Sequence, residues 1–581
     1  MNILGLSFMY HDSAAALLMD GAVVAAAAEE RFSRKKHSLD FPSGAIEAVL
    51  RIGGIRVQDL DVIVFYEKPL LKFERILTMN ALAFPRGYRQ FLDAMPLWLR
   101  YKLFVRDLIR RSLDYDGEVV FADHHCAHAA SSFFASGFEE AAILTTDGVG
   151  EWATMTTGVG RGNRIHLTHE IRYPHSLGLL YSTVTAFLGF RVNGGEGKVM
   201  GLASYGEPRF FDRMMREMVE VREDGSFRLN LDYFSFHEDV VMYSPRFVAE
   251  FGPPRVPESE VTQRDQDLAA SLQKVVEEVL LRAARHLKHR TGLRSLCMAG
   301  GVSLNSVTNG RILEECGFDR IFIQPAAGDD GGAIGGALYY WHQILRKPRQ
   351  WRMETAFLGP SNDPQEVRRC LQARRLPFRR YEDRSELIER AAADLAAGRI
   401  VGWCQGRMEY GPRALGNRSI LANPSVPGMK DTLNRRVKHR EPFRPFAPAV
   451  PLEDAGTFFE PAFESPFMLL VVRTRPEWRD RLQAVTHVDG TARLQTVTRE
   501  QNPMFYDLLR AFGRRTGFPV LLNTSFNIRG EPIVCDFGDA LTCFLNEDMD
   551  CVALEDCYLV KAPRDGDRAV REVLPPDSWY P

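Results

Sequence analysis

Two histidines four residues apart are the first side chains in the sequence whose spacing could bind a cation. His124 and His128 lie in Asp123-His124-His125-Cys126-Ala127-His128, and residues four apart project from the same face of a helix. His125 projects elsewhere and stands where a zinc-protease helix carries glutamate, so that class of enzyme is excluded. Taken alone, the pair fits two structural histidines equally well.

Two aspartates in glycine-rich turns could complete a metal site. Asp147 ends an apolar stretch in Thr146-Asp147-Gly148-Val149-Gly150, and Asp329 lies in Gly328-Asp329-Asp330-Gly331-Gly332. Two imidazoles with two carboxylates form a mixed N/O ligand set that suits Fe, Mn or Zn and leaves positions for substrate oxygens. Asp330 is an alternative to Asp329, and a single Asp-Gly pair is more often only a turn.

Glycine-rich loops indicate possible phosphate contacts. Gly300-Gly301-Val302-Ser303-Leu304-Asn305 follows a predicted strand and precedes a predicted helix, where backbone N–H groups can bind phosphate. Gly194-Gly195-Glu196-Gly197-Lys198 adds a cation, although each loop also fits a solvated turn. The predicted nucleotide-binding residues are Gly148, Gly150, Lys198, Gly300, Gly301 and Asn305.

The strongest signal is a run of arginines among glycine and proline after residue 405. Gly411-Pro412-Arg413-Ala414-Leu415-Gly416-Asn417-Arg418-Ser419 is followed by Lys438-His439-Arg440 and Phe443-Arg444 with few balancing acids. Forked guanidinium groups suit phosphate and carboxylate oxygens. Thr491, Arg493 and Gln495 share a predicted strand face, and residues 523–527 follow a predicted buried strand. A pocket for a polyanion is predicted.

Hydrophobic patterns indicate the elements that must position these groups. Apolar runs at 14–19 and 22–28 around Asp20-Gly21 predict a β-hairpin, and a similar unit at 141–158 suggests an internal duplication. Helical spacing predicts a long helix over 265–289. The pattern over residues 67–113 predicts helices that are interrupted at Pro85 and Pro96, and no role is assigned to this region. After a boundary near 345–360, a helix is predicted over 385–397 and strands over 400–404 and 518–522.

Length and charge limit the class of protein. A chain of 581 residues exceeds one hydrophobic core and predicts two domains. A net charge of −2, from 73 basic and 75 acidic residues, argues against a general nucleic-acid or membrane-surface binder. No nucleic-acid or membrane partner is therefore expected. No signal peptide or membrane span is recognised, which predicts a cytoplasmic protein, and the nine scattered cysteines predict reduced thiols.

These segments resemble the NodU/CmcH family of O-carbamoyltransferases from His11-Asp12 to Glu555-Asp556. The most specific pieces are the Gly411–Ser419 motif and Asn523-Thr524-Ser525-Phe526-Asn527. The resemblance implies an α/β protein with two domains. Residues 1–350 would form an ASKHA-type domain, similar to tRNA threonylcarbamoyl transferases, that carries the metal site. Residues 355–581 would form a YrdC-like domain that makes carbamoyl adenylate.

The family's chemistry implies the co-substrates and the roles of particular residues. Carbamoyl phosphate and ATP would give carbamoyl adenylate, which an alcohol of a small-molecule acceptor then attacks. The implied metal is Fe²⁺, with Mg²⁺ as a further candidate cation, and a homodimer is one expected assembly. The resemblance assigns His124, His128, Asp147 and Asp329 as metal ligands, and His11, Asp12 and Lys36 to catalysis. Within that catalytic set, His11 would be a base or orienting group and Lys36 would contact the adenylate. Carbamoyl phosphate and ATP would be held by Arg413, Arg418, Lys438, Arg444, Arg493, Asn523, Ser525 and Asn527.

Three other functions share parts of this pattern. A tRNA threonylcarbamoyl-type modification enzyme has the same two kinds of domain, but the near-neutral charge and the Gly411–Ser419 motif argue against it. An ASKHA sugar kinase would need neither the histidine pair nor the second domain. A non-catalytic nucleotide-binding regulator is the third alternative. None of the motifs indicates which alcohol is the acceptor.

Overall fold

The computed structural model describes residues 1–561 and divides into two compact units. The first contains Met1–Glu30 and His37–Met353, and the second contains Arg31–Lys36 together with the chain from Glu354 onward. The short segment Arg31–Lys36 is held within the second unit by backbone acceptors. The Arg31 guanidinium donates to the carbonyl of Gly411 at 2.6 Å, and that of Arg34 donates to the carbonyl of Ile533 at 2.8 Å.

The first unit contains two five-stranded sheets with the same topology. The orders are β3-β2-β1-β4-β5 and β12-β11-β6-β7-β8, so each sheet begins with an antiparallel meander and adds two parallel strands beside its first strand. The same strand order therefore occurs twice, which agrees with the suggested duplication, and the chain has the predicted α/β fold class. The strands are β1 (Asn2–Ser7), β2 (Ala14–Met19), β3 (Ala22–Ala28), β4 (Val62–Phe65), β5 (Glu118–Phe121), β6 (Glu140–Thr146), β7 (Ala153–Arg161), β8 (Arg164–Arg172), β9 (Val219–Val221), β10 (Phe227–Leu229), β11 (Ser295–Ala299) and β12 (Arg320–Ile323).

Helices cover the sheets of this region. Helix α1 (Glu30–Ser33) enters the second unit after its first residue. The helices of the first unit are α2 (Ser43–Gly53), α3 (Pro69–Ala83), α4 (Tyr88–Arg100), α5 (Val105–Leu113), α6 (His124–Phe133), α7 (Leu177–Phe187), α8 (Glu196–Ala203), α9 (Phe211–Glu217), α10 (Pro245–Phe251), α11 (Gln263–Thr291), α12 (Ser306–Glu315) and α13 (Gly331–Tyr339). Pro85 separates α3 from α4, as predicted, but Pro96 lies inside α4, so its predicted helix break is wrong. Pro96 and Leu92 are both exposed, and water can therefore solvate the carbonyl that loses its helical partner.

Helix α13 packs closely against α6 and β1 because a glycine lies at each contact. A Cβ on Gly335 of α13 would overlap the carbonyl oxygen of Ala127 in α6, and a Cβ on Gly5 of β1 would overlap that of Ala333 in α13. Asp329 lies two residues before the start of α13, whereas two histidines project from α6. The glycine contact therefore fixes the distance between these groups.

The second unit is built on one ten-stranded mixed sheet, ordered β13-β22-β21-β14-β15-β20-β16-β19-β18-β17. Its strands are β13 (Arg379–Arg380), β14 (Val401–Cys404), β15 (Arg418–Ala422), β16 (Ala447–Pro451), β17 (Phe459–Glu460), β18 (Leu470–Thr474), β19 (Thr491–Val497), β20 (Leu521–Ser525), β21 (Cys551–Leu554) and β22 (Cys557–Val560). Its helices are α14 (Pro364–Ala373), α15 (Arg384–Ala396), α16 (Met429–Thr432), α17 (Ala455–Phe458), α18 (Pro503–Thr516) and α19 (Phe537–Asn546).

Strand β20 differs from its predicted position. The prediction placed a strand over 518–522 and Asn523 after it, whereas the observed strand runs from Leu521 to Ser525. Asn523 pairs with Leu421 of β15 and Ala447 of β16, so its backbone is part of the sheet. In the part of the chain that is described, no helix is long and apolar enough to cross a membrane.

Candidate metal centre and anion site

Four side chains of the first unit converge on one point. His124 and His128 project from α6, Asp147 follows β6 and Asp329 precedes α13. His124 Nε2 lies 3.0 Å from Asp147 Oδ2 and 3.1 Å from His128 Nε2. Asp329 Oδ1 lies 3.8 Å from His124 Nε2 and 3.9 Å from His128 Nε2. All four residues are buried, with at most 7% of their surface exposed.

The donors fit a divalent cation. Ligand bonds of roughly 2.1 Å place neighbouring donor atoms roughly 3 to 3.5 Å apart, and one ligand atom from each of the four residues lies within 4.8 Å of all the others. Asp329 Oδ1 is buried and has no hydrogen-bond partner among the described residues. Since an unpaired buried carboxylate oxygen is costly, this atom indicates a ligand position. The predicted ligand set is therefore brought together.

The charges at this centre favour a cation. Burial lowers the pKa of His124, but its hydrogen bond to Asp147 and the charge of Asp329 outweigh burial and raise the pKa to about 9. A cation that binds these rings must displace that proton, so its affinity falls with falling pH. His125 is different, because burial lowers its pKa to about 3 and its Nδ1 lies 2.6 Å from Thr145 Oγ1. His125 is a neutral residue of the core.

Several buried polar groups behind the ligands were missed by the sequence analysis. The Tyr66 hydroxyl donates to Asp329 Oδ2 at 3.0 Å, and Glu151 accepts from the backbone N–H of His124 at 3.1 Å. Glu67 is paired with Lys72 at 2.6 Å and lies 3.8 Å from His124 Nδ1. The polar pair Tyr66-Glu67 directly after the apolar strand β4 was the available signal.

His11 and Asp12 lie beside the same centre. Asp12 accepts from His11 at 3.0 Å and from His37 at 2.7 Å, and His11 Nε2 lies 3.7 Å from Asp329 Oδ2. Burial lowers the pKa of His11, but the carboxylates of Asp329 and Asp12 outweigh it and raise the pKa to about 10. Lys36 belongs to the second unit. There, burial and the charge of Arg440 lower the pKa of Lys438, and the charge of Lys36 lowers it further.

Gly150 and Gly301, two of the predicted glycines, lie against candidate metal ligands. The Gly301 N–H donates to Asp147 Oδ1 at 2.8 Å, and Gly300 has a φ of +94°, which only glycine adopts readily. A Cβ on Gly150 would lie 2.9 Å from the His124 ring, whereas Gly148 faces open space.

Two other predicted nucleotide contacts, Asn305 and Lys198, stand at or beyond the ends of their glycine-rich loops. Asn305 caps α12 by accepting from the Thr308 N–H at 3.2 Å, and its amide donates to Gln273 at 2.9 Å. Those bonds hold Asn305 at the start of α12, and its nucleotide contact stays a prediction. Lys198 lies on α8 with its Nζ 5.4 Å from the Phe190 ring centroid.

In the second unit, arginines crowd together with little acid. Burial and the charge of Arg444 lower the pKa of Arg413 to about 10, and burial with Arg413, Arg440 and Arg444 lowers the pKa of Arg493. The buried Nε atoms of Arg413 and Arg493 have no hydrogen-bond partner among the described residues. Glu441 lies 4.0 Å from Arg444. Such a field attracts a multiply charged anion. Arg440 belongs to this cluster and was not among the predicted residues.

Lysine and amide groups form a second part of this site. Lys438 Nζ donates to the Ser525 carbonyl at 2.6 Å and to Asn527 Oδ1 at 2.5 Å, and Asn523 donates to Gln495 at 2.8 Å.

Arg418 is placed differently from the other predicted phosphate contacts. It is fully buried, and its guanidinium donates to the carbonyls of Cys535, Gln405, Gly406 and Asn417. Those carbonyls take up donors of Arg418, so its guanidinium holds the loop together, and its contact with phosphate stays a prediction.

Comparison with known proteins extends these observations over the chain. Family models described as carbamoyltransferase N-terminus and carbamoyltransferase C-terminus match residues 2–338 and 392–561. The chain is 47% identical to the uncharacterized protein sll1178 of Synechocystis sp., covering 96% of this chain and 97% of that protein. It is 38% identical to nodulation protein NolNO of Sinorhizobium fredii, covering 98% and 82%, and 40% identical to nodulation protein NolO of Bradyrhizobium diazoefficiens, covering 76% and 79%. The chain therefore belongs to the carbamoyltransferase family and is a transferase.

Proposed function

We propose that this transferase uses carbamoyl phosphate and ATP to carbamoylate a hydroxyl of a small molecule. Water cleaves carbamoyl phosphate to carbamate and phosphate. A carbamate oxygen then attacks the α-phosphorus of ATP and displaces pyrophosphate, which gives carbamoyl adenylate. The acceptor oxygen attacks the carbamoyl carbon, AMP leaves and the hydroxyl proton is transferred to a base.

The observation that carries this proposal is the cluster of partly buried arginines in the second unit. Within residues 1–561 the buried Nε atoms of Arg413 and Arg493 have no hydrogen-bond partner, and burial together with neighbouring positive charges disfavours the charged form of both. A ligand that bears several negative charges would relieve this repulsion. Carbamoyl phosphate and ATP are the polyanions that carbamoyl activation requires, so the cluster suits the adenylate-forming stage.

We assign the two stages to the two parts of the chain. Residues 355–581 would form carbamoyl adenylate, with Arg413, Arg444, Arg493 and Lys438 on phosphate oxygens and Asn523, Ser525 and Asn527 completing the site. Lys36 would act beside Lys438, since its segment belongs to the same unit. Residues 1–350 would carry out transfer to the acceptor.

In the transfer stage, His124, His128, Asp147 and Asp329 would hold Fe²⁺, which would supply Lewis-acid polarisation of the carbamoyl oxygen. Tyr66 fixes Asp329 by donating to its second oxygen. His11, oriented by Asp12, would accept the hydroxyl proton at Nε2. The carboxylates of Asp329 and Asp12 raise the pKa of His11. A cation bound to Asp329 would offset the charge of that carboxylate, lower the pKa of His11 and free its ring to act as a base.

The test measures both stages separately in two variants. With ATP and carbamoyl phosphate, the purified protein should form AMP and pyrophosphate. His124→Ala should lose its metal and the transfer reaction but retain most of this AMP formation. Arg493→Ala should keep its metal and lose AMP formation by about ten- to a hundredfold, because a charge-assisted contact is worth about 1.5 to 3 kcal/mol.

Exposed residues provide the matched controls. His166→Ala on β8 and Arg164→Ala beside it should change neither metal content nor AMP formation, since both side chains are exposed. Release of ADP without pyrophosphate would contradict adenylate formation and would favour a kinase. Unchanged metal content in folded His124→Ala would remove the metal centre from the proposal.

A further inference from the structure

Exposed apolar side chains are concentrated in one short part of the chain. Of the nineteen large apolar residues that are exposed within residues 1–561, eleven lie between Leu70 and Phe104. Phe84 and Leu82 have 71% and 75% of their surface exposed. Apolar residues scattered singly over a surface need no explanation, but a dense group marks a contact surface.

The same region carries an excess of positive charge. Residues 85–111 contain seven bases, namely Arg86, Arg89, Arg100, Lys102, Arg106, Arg110 and Arg111, against the two acids Asp93 and Asp107. The net charge of this segment is therefore 7 − 2 = +5, within a chain whose net charge is −2. Five of the arginines, from Arg89 to Arg111, are exposed and form no ion pair with an acid among the described residues.

Helix α4 presents these two properties on one side. At 3.6 residues per turn, Tyr88, Leu92 and Leu99 fall on one face, and Arg89 and Arg100 fall directly beside it. All five side chains are exposed. The opposite side of the helix is anchored, because Trp98 is 3% exposed and its ring lies 5.5 Å from Phe73 of α3. The exposed face is therefore additional to the face that the fold needs.

We propose that residues 84–111, the basic hairpin, dock on the surface of an anionic lipid membrane. The exposed leucines and aromatic rings would enter the boundary between head groups and acyl chains, and the arginines beside them would contact lipid phosphates. An apolar face flanked by bases is the pattern of helices that lie in the plane of a membrane surface, and each base near an anionic leaflet adds to the attraction.

A second copy of the chain fits this surface less well. In a symmetric dimer the same patch lies on both sides of the interface, so the basic hairpin would face another basic hairpin. Like charges placed opposite each other oppose association. The charge of the segment therefore favours an anionic partner.

Docking also has a structural link to the candidate metal centre. The Trp98 ring lies 6.4 Å from the ring of Tyr10, and Lys102 Nζ lies 3.7 Å from the centroid of the same ring. Tyr10 directly precedes His11 in the sequence. The inner side of the basic hairpin thus contacts the loop that carries His11, while its outer side is exposed.

Vesicle sedimentation with the full-length protein tests this proposal. Vesicles of phosphatidylglycerol with phosphatidylcholine should bind the protein at least about tenfold more tightly than vesicles of phosphatidylcholine alone, and added salt should weaken binding. Leu92→Asp with Leu99→Asp should reduce binding at least about tenfold. Arg89→Glu with Arg100→Glu should do the same without placing a charge in an apolar position.

The controls make equal changes elsewhere on the first unit. Val256→Asp with Ile344→Asp, and Arg164→Glu with Arg222→Glu, alter exposed residues outside the basic hairpin and should bind as the unchanged protein does. Melting temperature and metal content confirm that each variant is folded. Absence of binding, equal binding to both vesicles, or equal losses in the controls would overturn the proposal. The proposal would also be overturned if the protein formed a dimer without vesicles and only Leu92→Asp with Leu99→Asp dissociated it, since the exposed apolar face would then be an interface between two copies of the chain.

Discussion

Two arginines of one motif, Arg413 and Arg418, show how far the role of a residue can be inferred from its type. Both occur in the Gly411–Ser419 motif, and sequence reasoning treated them alike. Arg418 is saturated by backbone carbonyls, whereas the buried Nε of Arg413 has no partner among the described residues. The difference depends on where the loop folds back, which no local pattern specifies.

Substituting each arginine by methionine should have opposite effects on stability. Burial and Arg444 lower the pKa of Arg413 to about 10, so its charge opposes folding, and Arg413→Met should raise the free energy of unfolding by about 1 to 3 kcal/mol. The same variant should lose affinity for ATP. Arg418→Met should lower the free energy of unfolding by more than about 3 kcal/mol, since it leaves several buried carbonyls unpaired. Chemical denaturation with and without ATP measures both effects, and equal destabilisation of the two variants would contradict the distinction.

The four proposed metal ligands could be selected as a set from local patterns, namely the helical spacing of His124 and His128 and the glycine-rich turns at Asp147 and Asp329, each of which taken alone also fits a structural role. Tyr66 was not predictable in the same way. Its hydroxyl reaches Asp329 from a residue 263 positions away in the sequence, and tyrosine after an apolar strand is usually part of a core. Contacts of this kind depend on tertiary folding.

Elements were predicted best where periodicity is strong. The hairpin of β2 and β3 agrees with its predicted range because two apolar runs flank the turn pair Asp20-Gly21, and α11 agrees because its 3.6-residue pattern extends over many residues. Strand β20 was misplaced because Asn523 and Ser525 are polar residues in the interior of a sheet, where apolar residues are the norm. Their positions follow from pairing with β15 and β16, which the local sequence does not contain.

Helix α13 should control the metal centre without contributing a ligand. Gly335→Ala would force the helix away from α6, so we expect a loss of about 1 to 3 kcal/mol in stability and about a ten- to hundredfold loss in metal affinity. The matched variant Gly336→Ala places its Cβ 3.3 Å from a methyl group of Val64, a contact that side-chain adjustment can relieve. Metal titration followed by thermal unfolding compares the two, and equal metal affinity would show that the helix contact does not position the ligands.

At the scale of the whole molecule, net charge concealed the local distribution. The value of −2 argued against a general nucleic-acid or membrane-surface binder, yet the arginines of the second unit and the basic hairpin are each strongly positive. Acidic residues elsewhere balance them. A sum over the chain cannot detect charges that folding gathers on one surface.

A buried histidine should make the protein sensitive to acid. His342 is 1% exposed, and burial lowers its pKa to about 4, compared with about 6.5 in an unfolded chain. Between these values the unfolded state binds more protons, so the free energy of unfolding falls as the pH falls from about 6.5 to 4, by up to about 3 kcal/mol for this residue. His342→Phe should show a shallower pH dependence, whereas exposed His166→Phe should not. Urea unfolding over this pH range measures the slopes, and parallel slopes would exclude His342 as the cause.

The placement of Arg31–Lys36 has a consequence for how the second unit is encoded. Its fold takes six residues from near the start of the polypeptide, and Arg31 supplies a donor to the Gly411 carbonyl in the motif that carries Arg413. A fragment that begins at Glu354 would lack this donor, and a fragment that ends at Met353 would retain it without its acceptor. If either half of the chain were exchanged between relatives, the six residues Arg31–Lys36 would therefore have to remain compatible with the Gly411–Ser419 motif.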